Sequence, residues 1–137
     1  MSLRKTIEWC GYNWETCMES ERPIHPDNPY MYIDGNCVIN DDNNAYLKIQ
    51  YKPTSLKWWN KNWKEKIEYN PTISCGLIRS MEPIPINNSV ECEVCMPNGV
   101  NLWPSFWLTA VDSWPPEIDI FEGYTDEKGS YEDKLKL

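Results

Sequence analysis

Apolar and polar residues alternate with a period of two along much of this chain, the signature of half-buried strands. The clearest run is AYLKIQY: Ala45, Leu47, Ile49 and Tyr51 alternate with Tyr46, Lys48 and Gln50, which predicts one buried and one wet face. Ahead of it, PYMYI and NCVIN flank Asp34-Gly35, a strong hairpin signal, so residues 29–52 read as a meander of three strands. Residues 1–29 carry Trp9, Trp14 and the Pro-broken run ERPIHPDNP, and read as an irregular capping segment. Residues 53–72 form a long connection in which Trp59, Trp63 and Ile67 recur every four positions, the spacing of a short helix. Residues 73–81 read as a strand with Cys75, Leu77, Arg79 and Met81 on one face. Residues 89–96 read as another, closed by the turn Pro97-Asn98-Gly99. The pattern is all-β, and 137 residues make one domain at most.

The chain is organised around GVNLWPSFWLTAVDSWPPEIDIFEGY, residues 99–124. Three carboxylates close it: Glu117, Asp119 and Glu122. Residues two apart on a strand share a face, so Glu117 and Asp119 point the same way. Glu122 lies an odd number of residues from both. One extra residue in a β-bulge, at Ile120 or Phe121, returns it to their face and leaves an apolar row, Ile118 included, turned to the core. Three clustered carboxylates do not all ionise cheaply, so the row favours one that keeps its proton. Such a row suits cleavage of a glycosidic bond by a nucleophile and an acid on either side of it. The bare E-x-D-x-x-E pattern is unspecific, because a solvated acidic strand face also produces it.

The flanks add specificity. In WPSFW, Trp103, Ser105 and Trp107 share a face, while Leu102, Phe106 and Leu108 take the other. Pro104 marks an edge or an irregularity. Eight Trp and eight Tyr against two Phe favour amphipathic aromatics, which serve as core and as platforms for sugar rings. LWPSFWL (residues 102–108) followed by SWPPEIDIFEGY (113–124) closely resembles glycoside hydrolase family 16, with SCGLIRS (74–80) and ECEVCMPNG (91–99) at two upstream motif positions. The resemblance spans about residues 73–124. It implies a concanavalin-like β-jelly-roll sandwich and a retaining endo-hydrolase. By it Glu117 matches the nucleophile, Asp119 the middle aspartate and Glu122 the acid/base, in the bulged subtype of laminarinases and agarases. Trp107, Trp114 and, less directly, Trp103 are implied as sugar-binding residues. Arg79 reads equally as a sugar ligand or a surface arginine, and Trp58 or Trp59 as a wall of the cleft. Sandwiches of this kind commonly run to about 200–250 residues, so the resemblance implies a domain incomplete at its C-terminus. The tail from Thr125 is then expected to fray.

The expected substrate is a β-linked polysaccharide, first a β-1,3-glucan and next an agar- or carrageenan-type galactan. Transglycosylation is a close mechanistic cousin. A carbohydrate-binding or lectin-like domain without turnover is the alternative, and a Ca²⁺ or Mg²⁺ site on the carboxylates a third class. No cofactor is needed for the favoured chemistry, and a structural Ca²⁺ is not indicated. The net charge of −8 argues against nucleic acid and anionic membranes as partners, and a monomer is expected. Residues 1–14 have no apolar signal-peptide core, although the resemblance implies an extracellular or periplasmic enzyme. Cys92 and Cys95 form C-x-x-C, but on a strand their thiols point oppositely. With His25 the only histidine, a zinc site is disfavoured. The six cysteines are expected as free thiols, with a Cys10–Cys17 disulfide as the secreted alternative.

Overall fold

The computed structural model describes residues 5–18, 23–24, 30–85 and 87–131. Strands and one 3-10 turn are the only regular elements among them, and the fold is all-β, consistent with a β-sandwich of jelly-roll type. The chain divides into two compact units, Met1–Pro83 and Ile84–Leu137. No helix among the described residues is long and apolar enough to cross a membrane.

The first unit opens on a hairpin, where an irregular segment is expected from sequence. β1 (Thr6–Trp9) pairs antiparallel with β2 (Tyr12–Glu15). The two turn residues, Cys10 and Gly11, both take positive φ, 54° and 77°, the backbone that a tight hairpin of right-handed strands requires. Trp9 and Trp14 pack at 5.5 Å between ring centroids, and the Trp14 indole donates to the Trp9 carbonyl. His25 and most of ERPIHPDNP lie outside the described residues.

The expected meander is rewired. β3 (Tyr30–Tyr32) and β4 (Cys37–Ile39) do not pair with each other across Asp34-Gly35. Gly35 keeps a negative-φ backbone, so the two-residue primed turn does not form, and Asp34–Asn36 winds into a 3-10 turn instead. β3 runs parallel to β9 (Ile73–Cys75), and β9 also pairs antiparallel with β6 (Ile49–Tyr51). β4 pairs with β5 (Ala45–Leu47), so the expected third strand is two strands in different sheets, parting at Lys48.

Asn36 explains the parting. It is 1% exposed, and its amide donates to the Lys48 carbonyl at 3.0 Å and to Ser74 Oγ at 3.2 Å. Lys48 N–H returns to the Asn36 carbonyl, and Gly76 N–H to the Lys48 carbonyl. Lys48 therefore bonds Asn36 and Gly76 rather than either strand's ladder. The predicted buried face does not follow: Leu47 is 48% and Tyr51 81% exposed. Among the described residues the unit buries few apolar side chains, chiefly Cys17, Ile24, Met31, Cys37, Pro23 and Pro71, and Asn36, Thr16 and Ser74 share the interior as hydrogen-bonded polar groups.

The predicted helix in residues 53–72 is a hairpin, β7 (Leu56–Trp59) with β8 (Lys66–Tyr69). Asn60 closes it, its side-chain oxygen accepting from the N–H groups of Asn62 and Lys64. The four-residue recurrence of tryptophans thus spans a turn, with Trp59 on a strand under the Lys66 ammonium and Trp63 at positive φ, 56°. The strand expected over 73–81 also breaks: β9 ends at Cys75, and β10 (Arg79–Ser80) joins β2. Between them Gly76 must stay small, since a Cβ there would lie 2.6 Å from the Asn36 carbonyl oxygen.

No disulfide joins Cys10 to Cys17: Cys10 is exposed and Cys17 buried. Burial pushes the Cys37 thiol up, and burial together with neighbouring Cys37 pushes Cys75 up to about 12. Cys92 and Cys95 are exposed. Because the thiolate is the attacking species, iodoacetamide at mildly alkaline pH is expected to alkylate Cys10, Cys92 and Cys95 first. Cys17, Cys37 and Cys75 should follow only on unfolding. Mass spectrometry of native and denatured digests reads this directly, and fast native labelling of Cys75 would contradict the burial described.

In the second unit, the described residues between 84 and 104 contain no strand, and the one expected over 89–96 is absent. A strand needs a hydrogen-bonded partner, and none of the described strands pairs with this segment. Among its described residues the regular structure is one hairpin, β11 (Ser105–Thr109) with β12 (Glu117–Glu122). The segment after it does not fray as far as Tyr131. Thr125 is fully buried, receives the Leu102 N–H on its hydroxyl at 2.7 Å and bridges to Tyr131 around a turn held by Asp126. The rest of the tail lies outside the described residues.

Candidate active site

The hairpin register settles where the three acids point. Thr109 stands opposite Glu117, Trp107 opposite Asp119 and Ser105 opposite Glu122. Cross-strand partners share a face, and Ser105, Trp107 and Thr109 share theirs by alternation, so all three carboxylates lie on one face with Trp107. The register shifts by one between Phe106 and Trp107, which leaves Ile120 without a partner. That is the bulge the odd spacing demands, at one of its two expected positions. The opposite face is apolar, with Phe106 against Phe121 at 6.3 Å and Leu108 paired with Ile118. It is not the core position that alternation predicts, since Ile118 is 62% exposed.

Pro104 fits as anticipated. Among the described residues β11 pairs on one side only, and the Pro104 carbonyl accepts the Gly123 N–H at 2.9 Å, so the absent proline N–H costs the ladder nothing. Thr125 N–H to the Leu102 carbonyl adds another rung beyond the strand ends. Here Trp103 meets Tyr124 edge to face at 6.4 Å, with the two rings 56% and 51% exposed. Tyr124 was not among the residues picked from sequence. Its signal is parity, since it stands two residues beyond Glu122 and opposite a tryptophan already singled out.

At the other end, residues 110–116 turn the chain from β11 into β12. Thr109 braces this turn, its hydroxyl lying 3.3 Å from the Ser113 carbonyl and 3.4 Å from that of Pro116. The Trp114–Pro115 and Pro115–Pro116 peptides are both cis. Trp114 is 72% exposed, and its indole N–H donates to Glu117 Oε2 at 2.6 Å.

Six of the seven sequence-selected residues thus sit on one hairpin and its flanks: Trp103, Trp107, Trp114, Glu117, Asp119 and Glu122. Arg79 belongs to the first unit, where its guanidinium pairs at 2.8 Å with the carboxylate of Glu15, its partner across the β10–β2 ladder. Trp58 and Trp59 also belong to that unit. Among the described residues no three His, Cys, Asp or Glu side chains form a group that could hold a metal ion.

Comparison with known proteins places this geometry in context. The chain is 40% identical over 74 residues to a galactan endo-beta-1,3-galactanase of Flammulina velutipes, a match covering 51% of this chain and 26% of that protein. It is 48% identical over 33 residues to the endo-1,3-1,4-beta-glycanase ExsH of Rhizobium meliloti (strain 1021), covering 23% of this chain and 7% of that protein. The match to the galactanase thus spans about a quarter of that relative's length. No family model matches the chain, and no solved structure does so.

Proposed function

We propose that this chain carries the catalytic hairpin of a retaining endo-β-glycanase of the family 16 type. The observation that carries the reading is the β11–β12 register, which sets Glu117, Asp119 and Glu122 on one face around Trp107. In this reading Glu117 attacks the anomeric carbon while Glu122 protonates the departing glycosidic oxygen. Glu122 then takes a proton from the water that releases the sugar from Glu117. Asp119, between them, orients and tunes its neighbours. Trp107 in the middle and Trp103 with Tyr124 at one end offer ring faces to the apolar sides of sugars. Arg79 is left to its ion pair with Glu15.

Both named relatives act on β-glycans, which supports the class. The 40% identity to an endo-β-1,3-galactanase brings a β-1,3-galactan into the first rank beside a laminarin-like β-1,3-glucan. By the family resemblance, the enzyme is proposed to work as an extracellular or periplasmic monomer on polysaccharide. The test is reducing-end release by the full-length protein on β-1,3-galactan, laminarin, lichenan and agarose, with the first-formed anomer read by proton NMR. Internal cleavage of a β-1,3-linked polymer with a β-anomer first is the expected result. An α-anomer first would overturn the retaining mechanism. Sugar binding without release would leave a lectin-like domain.

A further inference from the structure

The Trp114 side chain does something that an aromatic platform does not need to do. An indole offers one polar atom, a donor. Here that donor is aimed at a carboxylate oxygen, Glu117 Oε2, at 2.6 Å, the short distance of a charge-assisted bond. The contact is local, spanning three residues, but it is not left to chance. The turn between the two residues is tied down by the Thr109 hydroxyl at the Ser113 and Pro116 carbonyls, by Ala110 N–H to the Pro116 carbonyl at 3.3 Å, and by the Ser113 hydroxyl to the Pro115 carbonyl at 3.2 Å. Thr109 is also the cross-strand partner of Glu117. One β11 residue therefore fixes both the strand position of the glutamate and the turn that carries its donor.

Glu117 itself is exposed, so strand packing alone does not fix its carboxylate. A nucleophilic carboxylate must present one oxygen to the anomeric carbon along a narrow approach, and freedom about its side-chain bonds lowers the fraction poised to react. We infer that Trp114 is a positioning residue for Glu117: its indole N–H holds Oε2 and leaves Oε1 as the attacking oxygen. The inference rests on the reading of Glu117 as the nucleophile. It differs from a sugar-platform role, which uses the ring faces and not the N–H.

Trp114→Phe separates the two, because it keeps an aromatic face for stacking and removes the donor, at a position too exposed for the fold to depend on it. In the full-length protein the expected result is a kcat lowered roughly tenfold to a hundredfold, the value of a hydrogen bond to a charged group, with KM unchanged within about twofold. A raised KM with wild-type kcat would overturn the inference and return Trp114 to the sugar platform. A readout independent of turnover is the Trp114 indole N–H resonance in a ¹H–¹⁵N spectrum, assigned by its loss in Trp114→Phe. It is expected to move in Glu117→Ala, and a resonance that stays in place would overturn the inference. Glu117→Gln tests the reading beneath. Full activity in that variant removes Glu117 as nucleophile and the positioning role with it, whatever the resonance shows.

Discussion

Glu117→Ala is expected to lower hydrolysis of the polymer by roughly 10⁴-fold or more, the scale on which loss of a nucleophile acts. Glu117 stands at the start of β12, opposite Thr109, on the face that holds Asp119 and Glu122. Azide is small enough to occupy the space the alanine leaves and to attack the anomeric carbon from the same side. It should restore part of the rate and yield a glycosyl azide of inverted configuration. The matching variant, Glu122→Gln, should lose roughly 10²–10⁴-fold on polysaccharide, where the leaving oxygen needs a proton. It should lose far less on an aryl glycoside whose leaving group needs none. Azide also speeds turnover of an acid/base variant, by attacking the glycosyl-enzyme with net retention, so configuration decides: an inverted glycosyl azide from Glu122→Ala and none from Glu117→Ala would exchange the two roles. Wild-type rates in both variants would reduce the acid row to a solvated strand face.

Gly76→Ala is expected to be the most damaging single methyl in the first unit. The added carbon would lie 2.6 Å from the Asn36 carbonyl oxygen and 3.1 Å from the Leu47 Cα, both backbone atoms that no side-chain rotation can move aside. Asn36 is in turn fixed by its bonds to Lys48 and Ser74. Overpacking of this kind costs about 3 kcal/mol, a fall in Tm of roughly 10 °C or more in a unit this small. Differential scanning calorimetry on the two proteins reads it. An unchanged Tm would mean that the Asn36–Gly76 contact is looser than described.

The acid face was legible in the sequence because parity on a strand is strict. Glu117 and Asp119 agree, Glu122 does not, and one extra residue is the least correction. The register supplies it at Ile120. The face of Trp107 was legible on the same ground. Pairing partners were not legible, because alternation says which way a side chain points and nothing about which strand lies alongside. Asp34-Gly35 has hairpin chemistry, yet β3 takes β9 as a parallel neighbour, and a buried asparagine settles the choice through bonds to residues 12 and 38 positions away. The helical reading of Trp59, Trp63 and Ile67 failed because four-residue spacing also fits two strand positions flanking a turn, and Asn60 supplies that turn. The hairpin at Cys10-Gly11 was hidden by tryptophans and charges that do not alternate cleanly. The bond from Trp114 to Glu117 had no pattern to announce it. It depends on the path of the two prolines between them, and periodicity carries no information about a turn.

The Ile120–Phe121 pair is also where β12 could change length by one residue without exchanging its two faces. Remove Ile118, and everything beyond swaps sides relative to Glu117: Asp119 and Glu122 turn to the apolar face and Phe121 to the acid face. Remove Ile120 itself, and the strand reads E-I-D-F-E with regular alternation, acids still together and phenylalanine still beneath them. What is lost is the kink, and with it the local twist that sets the last glutamate relative to the first. A one-residue deletion here would therefore alter the gap and angle between Glu117 and Glu122 while preserving the identity of both faces, a graded adjustment where a deletion at Ile118 is all or nothing.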